Sequence, residues 1–343
     1  MTERKRAVVL LALGTPDAPT VPAVRRFLRA FLGDGRVIAL PRFLRKLLLE
    51  CIILPFRAKH SAAMYRQIWT PRGSPFAVHT QALRERLFEA LGGKIPVSVA
   101  MRYGEPSAES VVRELIDSGI TEVCVIPQFP QYAESSWETA VVHFSETLKK
   151  LAPAMRAHIV PPFYEHEGYI EALAETLREV DRSRDFVFSF HGIPIKSIER
   201  VAAGKTRNCD LASETFSEEN CKSCEAAEKC YRRQCYASAR ALARKAGIPP
   251  GHVRVAFQSR FGKGKWLVPA TSACVRSTTV LVAPGFTVDC VETLLELKEL
   301  NAGTLIPCLN DSPAFARFLA ELVQENDLKK MKNSLRYSNH GKS

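Results

Sequence analysis

Asp185-Phe186-Val187-Phe188-Ser189-Phe190 runs straight into His191-Gly192-Ile193-Pro194. A short run of aromatic and β-branched side chains fits one buried strand, and the glycine and proline after it end that strand. The pattern recurs outward, in apolar runs at 7–13, 37–40, 96–101, 122–126, 158–160, 252–257 and 279–283. Amphipathic segments lie between many of them, at 80–91, 107–117, 136–151, 170–180 and 231–245. Strands alternating with helices predict an α/β fold of parallel sheets covered by helices on both faces. Two successive sets predict two doubly wound, Rossmann-like domains. The pair Pro161-Pro162 suggests a hinge, with one domain over 1–160, a second over 161–325 and a basic tail over 326–343. A last helical pattern at 312–324 leaves open whether it returns to the first domain. No repeat of 20–50 residues is visible.

Such a fold says where to look. Ligands of open α/β sheets bind beyond the carboxyl ends of the strands. The unusual residues of this chain cluster there: Gly14-Thr15-Pro16, Arg102-Tyr103-Gly104, Gln128-Phe129-Pro130-Gln131-Tyr132, His191-Gly192, Gln258-Ser259-Arg260-Phe261 and Pro284-Gly285-Phe286. No G-x-G-x-x-G follows the first strand, so the fold implies no nucleotide.

The 343 residues suit two domains, and 46% hydrophobic with 24% charged residues is the balance of a folded protein. The start is charged, and its apolar run 7–13 is too short for a secretory signal. With no apolar run of about 18 residues anywhere, the expected location is cytoplasmic. The net charge of +12 is not tied to any nucleic-acid motif, and part of it lies in the tail.

Four constellations carry chemistry. His191, closing a strand, is either a structural hydrogen-bonding residue or a group that takes a proton or touches a metal. Asp289, Glu292 and Glu296 share one face of a helix; they form either a capped helix start or an acidic track for a cation. Five of the ten cysteines, Cys209, Cys221, Cys224, Cys230 and Cys235, fall close together around a C-x2-C pair. In a reducing compartment that is a metal signal, and spacing alone does not choose between zinc and an iron–sulfur cluster. Finally, segment 41–59 sets Leu47, Leu48, Ile52, Ile53 and Phe56 among Arg42, Arg45, Lys46, Arg57 and Lys59. It is either a core helix or an exposed lip for a flat apolar ligand or a membrane surface.

Taken in order, Leu13-Gly14-Thr15-Pro16-Asp17, Met101-Arg102-Tyr103-Gly104, Phe129-Pro130-Gln131-Tyr132, Phe190-His191-Gly192-Ile193-Pro194, Phe257-Gln258-Ser259-Arg260-Phe261-Gly262, Pro284-Gly285-Phe286, Asp289-Cys290-Val291-Glu292-Thr293-Leu294 and Pro307-Cys308-Leu309-Asn310-Asp311 resemble the motifs of ferrochelatases over residues 7–325. The resemblance implies two chelatase-type domains with a porphyrin between them, and a lyase that inserts ferrous iron into protoporphyrin IX in haem biosynthesis. It makes His191 and Glu292 the catalytic pair and the groups that meet Fe(II), backed by Asp289 and Glu296. Arg66, Arg102, Tyr103, Gln131 and Tyr132 become substrate-binding residues, with Tyr65-Arg66 and the segment before them as the lip. Gln234-Cys235 matches an ordinary family ending, whereas the inserted segment within 207–235 resembles that of a bacterial class holding a [2Fe–2S] cluster. On that resemblance Cys209, Cys221, Cys224 and Cys230 are the ligands, with Cys235 as substitute. The chain departs from the family pattern at Ala12, at Leu267-Val268-Pro269-Ala270 and over 270–276. Two rivals stand beside this reading: a chelatase for another tetrapyrrole, and a non-catalytic two-lobed protein that senses iron.

Overall fold

In the computed structural model the described residues are 5–203, 205, 209–260 and 264–330, with side chains described as far as 325. The expectations that fall on Phe261-Gly262 and on tail residues 331–343 lie outside them.

The first lobe strings β1 (Arg6–Ala12), α1 (Val21–Leu32), α2 (Arg42–Leu48), α3 (Leu54–Ile68), α4 (Pro75–Ala90), β2 (Val97–Met101), α5 (Ala108–Asp117), β3 (Glu122–Pro127), α6 (Thr139–Leu151) and β4 (Arg156–Ile159). The second holds α7 (Glu167–Thr176), β5 (Phe186–His191), α8 (Ile195–Ala202), α9 (Glu218–Lys222), α10 (Tyr231–Ala246), β6 (Val253–Gln258), α11 (Thr271–Cys274), β7 (Val280–Val282) and β8 (Thr304–Leu305), and α12 (Pro313–Lys330) closes the chain. Every strand pairing is parallel, in the orders β2-β1-β3-β4 and β6-β5-β7-β8. The central strands β1 and β5 are largely apolar, and all their residues but Arg6 and His191 are buried, as sheets covered by helices require.

The two sheets share one topology, a repeat that no sequence period disclosed. The order reverses between β1 and β3 in one sheet and between β5 and β7 in the other. At such a switch point the connecting segments leave to opposite faces and open a crevice.

Two expectations change. Residues 37–40 form turns instead of a strand. The Arg45 guanidinium donates to the carbonyls of Gly33, Ile38 and Leu40, so this backbone is tied to a side chain and not to a sheet. Helix α12 does return to the first lobe: it packs on α4 as well as on α7. Its Phe315, Phe318 and Leu319 join one apolar cluster that also takes in Val8 and Leu10 of β1 and Phe186 and Phe188 of β5. The lobes therefore share a core.

Candidate active site

His191 ends β5, and Glu292 begins a single π-helical turn, Glu292–Glu296, shortly after β7. Since β5 pairs with β7, both residues stand at the switch point of the second sheet. The His191 ring is fixed by its own turn. Its Nδ1 lies 2.7 Å from the Gly192 carbonyl. A carbonyl only accepts, so Nδ1 carries the proton and the neutral ring keeps its lone pair on Nε2. Residue 192 must be glycine, because a Cβ there would sit 2.6 Å from the Gln258 carbonyl oxygen. Phe286 covers one side of the ring at 6.2 Å between centroids.

The acidic turn faces this imidazole through Glu296. Burial pushes the Glu296 carboxyl above its ordinary range; Ser259 opposes that shift, Glu292 adds to it, and His191 and Arg57 pull it back. The Ser259 hydroxyl donates to Glu296 at 2.5 Å, from a backbone held at φ 60°. A serine in the left-handed region just past a strand is strained, and such strain gathers at functional sites. Glu292 in turn accepts from the Cys290 thiol, which burial keeps protonated. His191, Glu292, Glu296 and Arg57 thus belong to one electrostatic neighbourhood drawn from both lobes.

Asp289 takes a different part. It is 6% exposed, and its carboxylate accepts from Thr293 Oγ1 at 2.8 Å and Asn310 Nδ2 at 2.7 Å. Its expected place in an open acidic track is therefore corrected: the carboxylate is already bonded inside the loop, where it holds the turn that presents Glu292. The three acids do not form one helical face either, because the helix is a single π turn that starts after Asp289.

From the first lobe, α3 packs against the acidic turn. Tyr65 bonds Thr15, and burial drives its hydroxyl far above the usual phenol range, with Glu292 and Cys290 adding to the shift. Thr15 in turn donates to Ser74 at 2.9 Å. Gly14, at φ 109°, lets the loop after β1 touch the loop after β2; a Cβ there would meet the Tyr103 carbonyl oxygen at 1.7 Å. Arg66 sits on the exposed end of α3, with Nη1 3.4 Å from the Pro19 carbonyl.

Four expected substrate contacts are placed elsewhere. The Arg102 guanidinium and the Tyr103 hydroxyl both donate to Asp34, which Thr139 also bonds. Gln131 donates to Ser238, and the Tyr132 hydroxyl donates to Glu138. Arg102, Tyr103, Gln131 and Tyr132 spend their polar ends inside the protein, and all but Arg102 are buried. They shape the cleft by bracing its loops. Sequence reading missed Asp34, and it named Ser259 and Arg57 without giving them a part at the acidic turn. Ser259 was within reach, since it stands in a strand-end motif; nothing local marks Asp34.

The cysteine segment lies beside the cleft. Burial, with Cys230, Cys209 and Cys224 adding to it, pushes the Cys221 thiol up to about 11. Cys230 is likewise raised by burial and by Cys209 and Cys224. The four thiols lie near enough to act on one another electrostatically, while Cys235 is fully buried against Tyr231. Among the described residues no three His, Cys, Asp or Glu side chains are gathered as closely as a single metal ion requires.

Residues 5–327 match the family model described as Ferrochelatase. The chain belongs to the ferrochelatase family. A ferrochelatase of Opitutus terrae is 41% identical over 340 residues, covering 93% of this chain and 97% of that one. One of Coxiella burnetii is 36% identical, covering 94% of each chain, and one of Pseudomonas putida 35% identical, covering 93% and 98%. The crystal structure of the sirohydrochlorin chelatase SirB from Bacillus subtilis subspecies spizizenii, in complex with cobalt, shares the fold at TM-score 0.52 and 11% identity over 96% of this chain and 98% of that one. The family's members are lyases of haem biosynthesis that insert iron into a porphyrin, so that activity is this chain's.

Proposed function

We propose that insertion runs between His191 and the Glu292–Glu296 turn, with protoporphyrin IX lying in the crevice beneath α3. The observation that carries this reading is the 2.7 Å contact of His191 Nδ1 with the Gly192 carbonyl, which assigns the proton to Nδ1 and leaves Nε2 as a lone-pair nitrogen in the electrostatic neighbourhood of Glu296. A free porphyrin carries two pyrrole N–H protons, and both must leave as iron enters. His191 Nε2 accepts a proton at one stage, and a base placed within hydrogen-bond reach is worth roughly 10²–10⁴ in rate. The Glu292–Glu296 pair, one member with a raised affinity for protons, takes up and passes on the charge of the incoming ferrous ion and the second proton. Phe286 and Tyr65 keep water from the working face, and binding a bent macrocycle favours the transition state over the flat substrate. Asp289, Arg102, Tyr103, Gln131 and Tyr132 position these groups.

Cys209, Cys221, Cys224 and Cys230 hold a [2Fe–2S] cluster. Cys221 and Cys230, whose thiols resist ionisation beside Cys209 and Cys224, are a poor arrangement for bare thiolates and a suitable one when a metal's positive charge stands between them. A bound cluster supplies a covalent cross-link of the inserted segment, with no step in proton or metal transfer.

The exposed lip gives the protein a peripheral hold on the cytoplasmic membrane face. Phe43 and Phe56 are 75% and 76% exposed, and Arg42, Lys46 and Lys59 stand exposed around them. No helix of the described residues is long and apolar enough to cross a membrane. The deciding test of the catalytic reading is an anaerobic insertion assay on the purified chain. Haem should form from protoporphyrin and ferrous iron faster than metal enters sirohydrochlorin; the reverse preference defeats the reading.

A further inference from the structure

The cysteine segment joins the rest of the protein through the first turns of α10. Cys230 is the residue that caps this helix, and Tyr231, its first member, is 7% exposed. The Tyr231 hydroxyl donates to the backbone carbonyl of His191 at 2.9 Å. The same peptide unit is held from its other end, where the Gly192 N–H donates to the Gln258 carbonyl at 2.7 Å. One turn along α10, the Cys235 thiol closes on the Tyr231 hydroxyl.

The next residues of the helix tie the segment down. Arg232, 2% exposed, donates to the carbonyls of Asp210, Ser213 and Thr215. Gln234 donates to the Glu228 carbonyl at 2.7 Å and accepts from the Tyr132 N–H of the first lobe at 2.6 Å. Arg232 is thus committed to the segment, and Gln234 to the segment on one side and the first lobe on the other. Of these three side chains, Tyr231 is the one that reaches His191.

We propose that Tyr231 is a positioning residue for His191, and that it passes the state of the cysteine quartet to the active site. The inference rests on the catalytic role given to His191 above. With the four thiols cross-linked, Cys230 is fixed, α10 starts where it should, and Tyr231 holds the His191–Gly192 peptide in register. Without the cross-link the start of α10 frays, Tyr231 withdraws, and the imidazole loses its aim. A misplacement of about 1 Å is enough to cost on the order of a hundredfold in rate, so a partial release predicts about tenfold.

The test uses the full chain with ferrous iron and protoporphyrin, with ¹⁵N-labelled histidine to read the ring directly. Tyr231→Phe should lower kcat about tenfold, leave the porphyrin KM within about twofold, keep the cluster absorption and move the His191 ring resonance. Cys221→Ser/Cys224→Ser should bleach the absorption and move the same resonance. Groups acting through one path do not add, so the combined variant should lose no more than either parent. Losses that multiply, or a resonance unmoved in both variants, overturn the proposal. If Tyr231→Phe does not accumulate, the cysteine variant still reads the His191 ring. A colourless wild type overturns the transmission. Should His191→Ala keep full turnover while the resonance moves, the catalytic reading has failed and the coupling stands.

Discussion

At the scale of single residues, this site is built from hydrogen bonds that leave little choice. Nδ1 of His191 is committed to Gly192, so Nε2 is the atom available for chemistry. Replacing His191 with Ala should lower kcat at least about a hundredfold, while quenching of porphyrin fluorescence shows binding retained. Glu296 makes the opposite kind of prediction. Burial raises its pKa, so the folded state holds the proton more tightly than the unfolded chain does. Its stability is then greatest below the ordinary glutamate pKa and falls as pH rises through the raised value. Glu296→Gln removes that loss. The variant should melt higher than the parent near pH 7.5, with the difference closing near pH 4, and its turnover should fall. Equal melting curves at both pH values would show that Glu296 holds no raised proton affinity in the fold. Trading stability for an ionised group is a common feature of working sites.

At the scale of elements, α2 and α3 show how one sequence segment meets two demands. Leu49, Ile53 and Leu54 face inward, while Phe43, Leu47, Ile52 and Phe56 face out. The π turn Leu49–Ile53 between the helices shifts the register, so the apolar side chains point in two directions. A core helix would bury one face and expose charge on the other. Here the exposed face is apolar and edged with cations, which suits anionic headgroups. Sedimentation with vesicles containing phosphatidylglycerol should carry the protein down. Phe43→Ser with Phe56→Ser should release it, because burying two phenylalanine side chains is worth about 3–6 kcal/mol. Co-sedimentation unaffected by the substitutions, or absent with wild type, would refute the lip as an anchor.

At the scale of the molecule, the two lobes are one folding unit. Phe315, Phe318, Leu319, Leu322 and Val323 of α12 are buried against α4 and α7. At about 1.5–3 kcal/mol each, those five side chains rival the net stability of a whole domain, about 5–15 kcal/mol. Truncation after Asp311 should therefore leave both lobes unable to fold, seen as loss of a cooperative melt. A truncated chain that still melts cooperatively would show that the lobes are independent. The seam between lobes has a polar part as well: Arg200 of α8 closes on Glu134 of the first lobe at 2.5 Å.

What the sequence determined by itself was local. The apolar runs at 7–13 and 186–190, the second broken only by Ser189, satisfy burial on both faces as central parallel strands, and His191 follows the second directly. The clustered cysteines were legible because thiols at C-x2-C spacing are rare without a metal. The tertiary structure decided what no spacing encodes. Asp289 was pulled out of the acidic track by Asn310 and Thr293, Arg102 and Tyr103 were claimed by Asp34, and residues 37–40 were claimed by Arg45. A polar side chain can serve a substrate or a neighbouring loop, and the choice depends on which partner the fold brings within about 3 Å. That partner is commonly tens of residues away in the chain, so only the assembled molecule makes the choice.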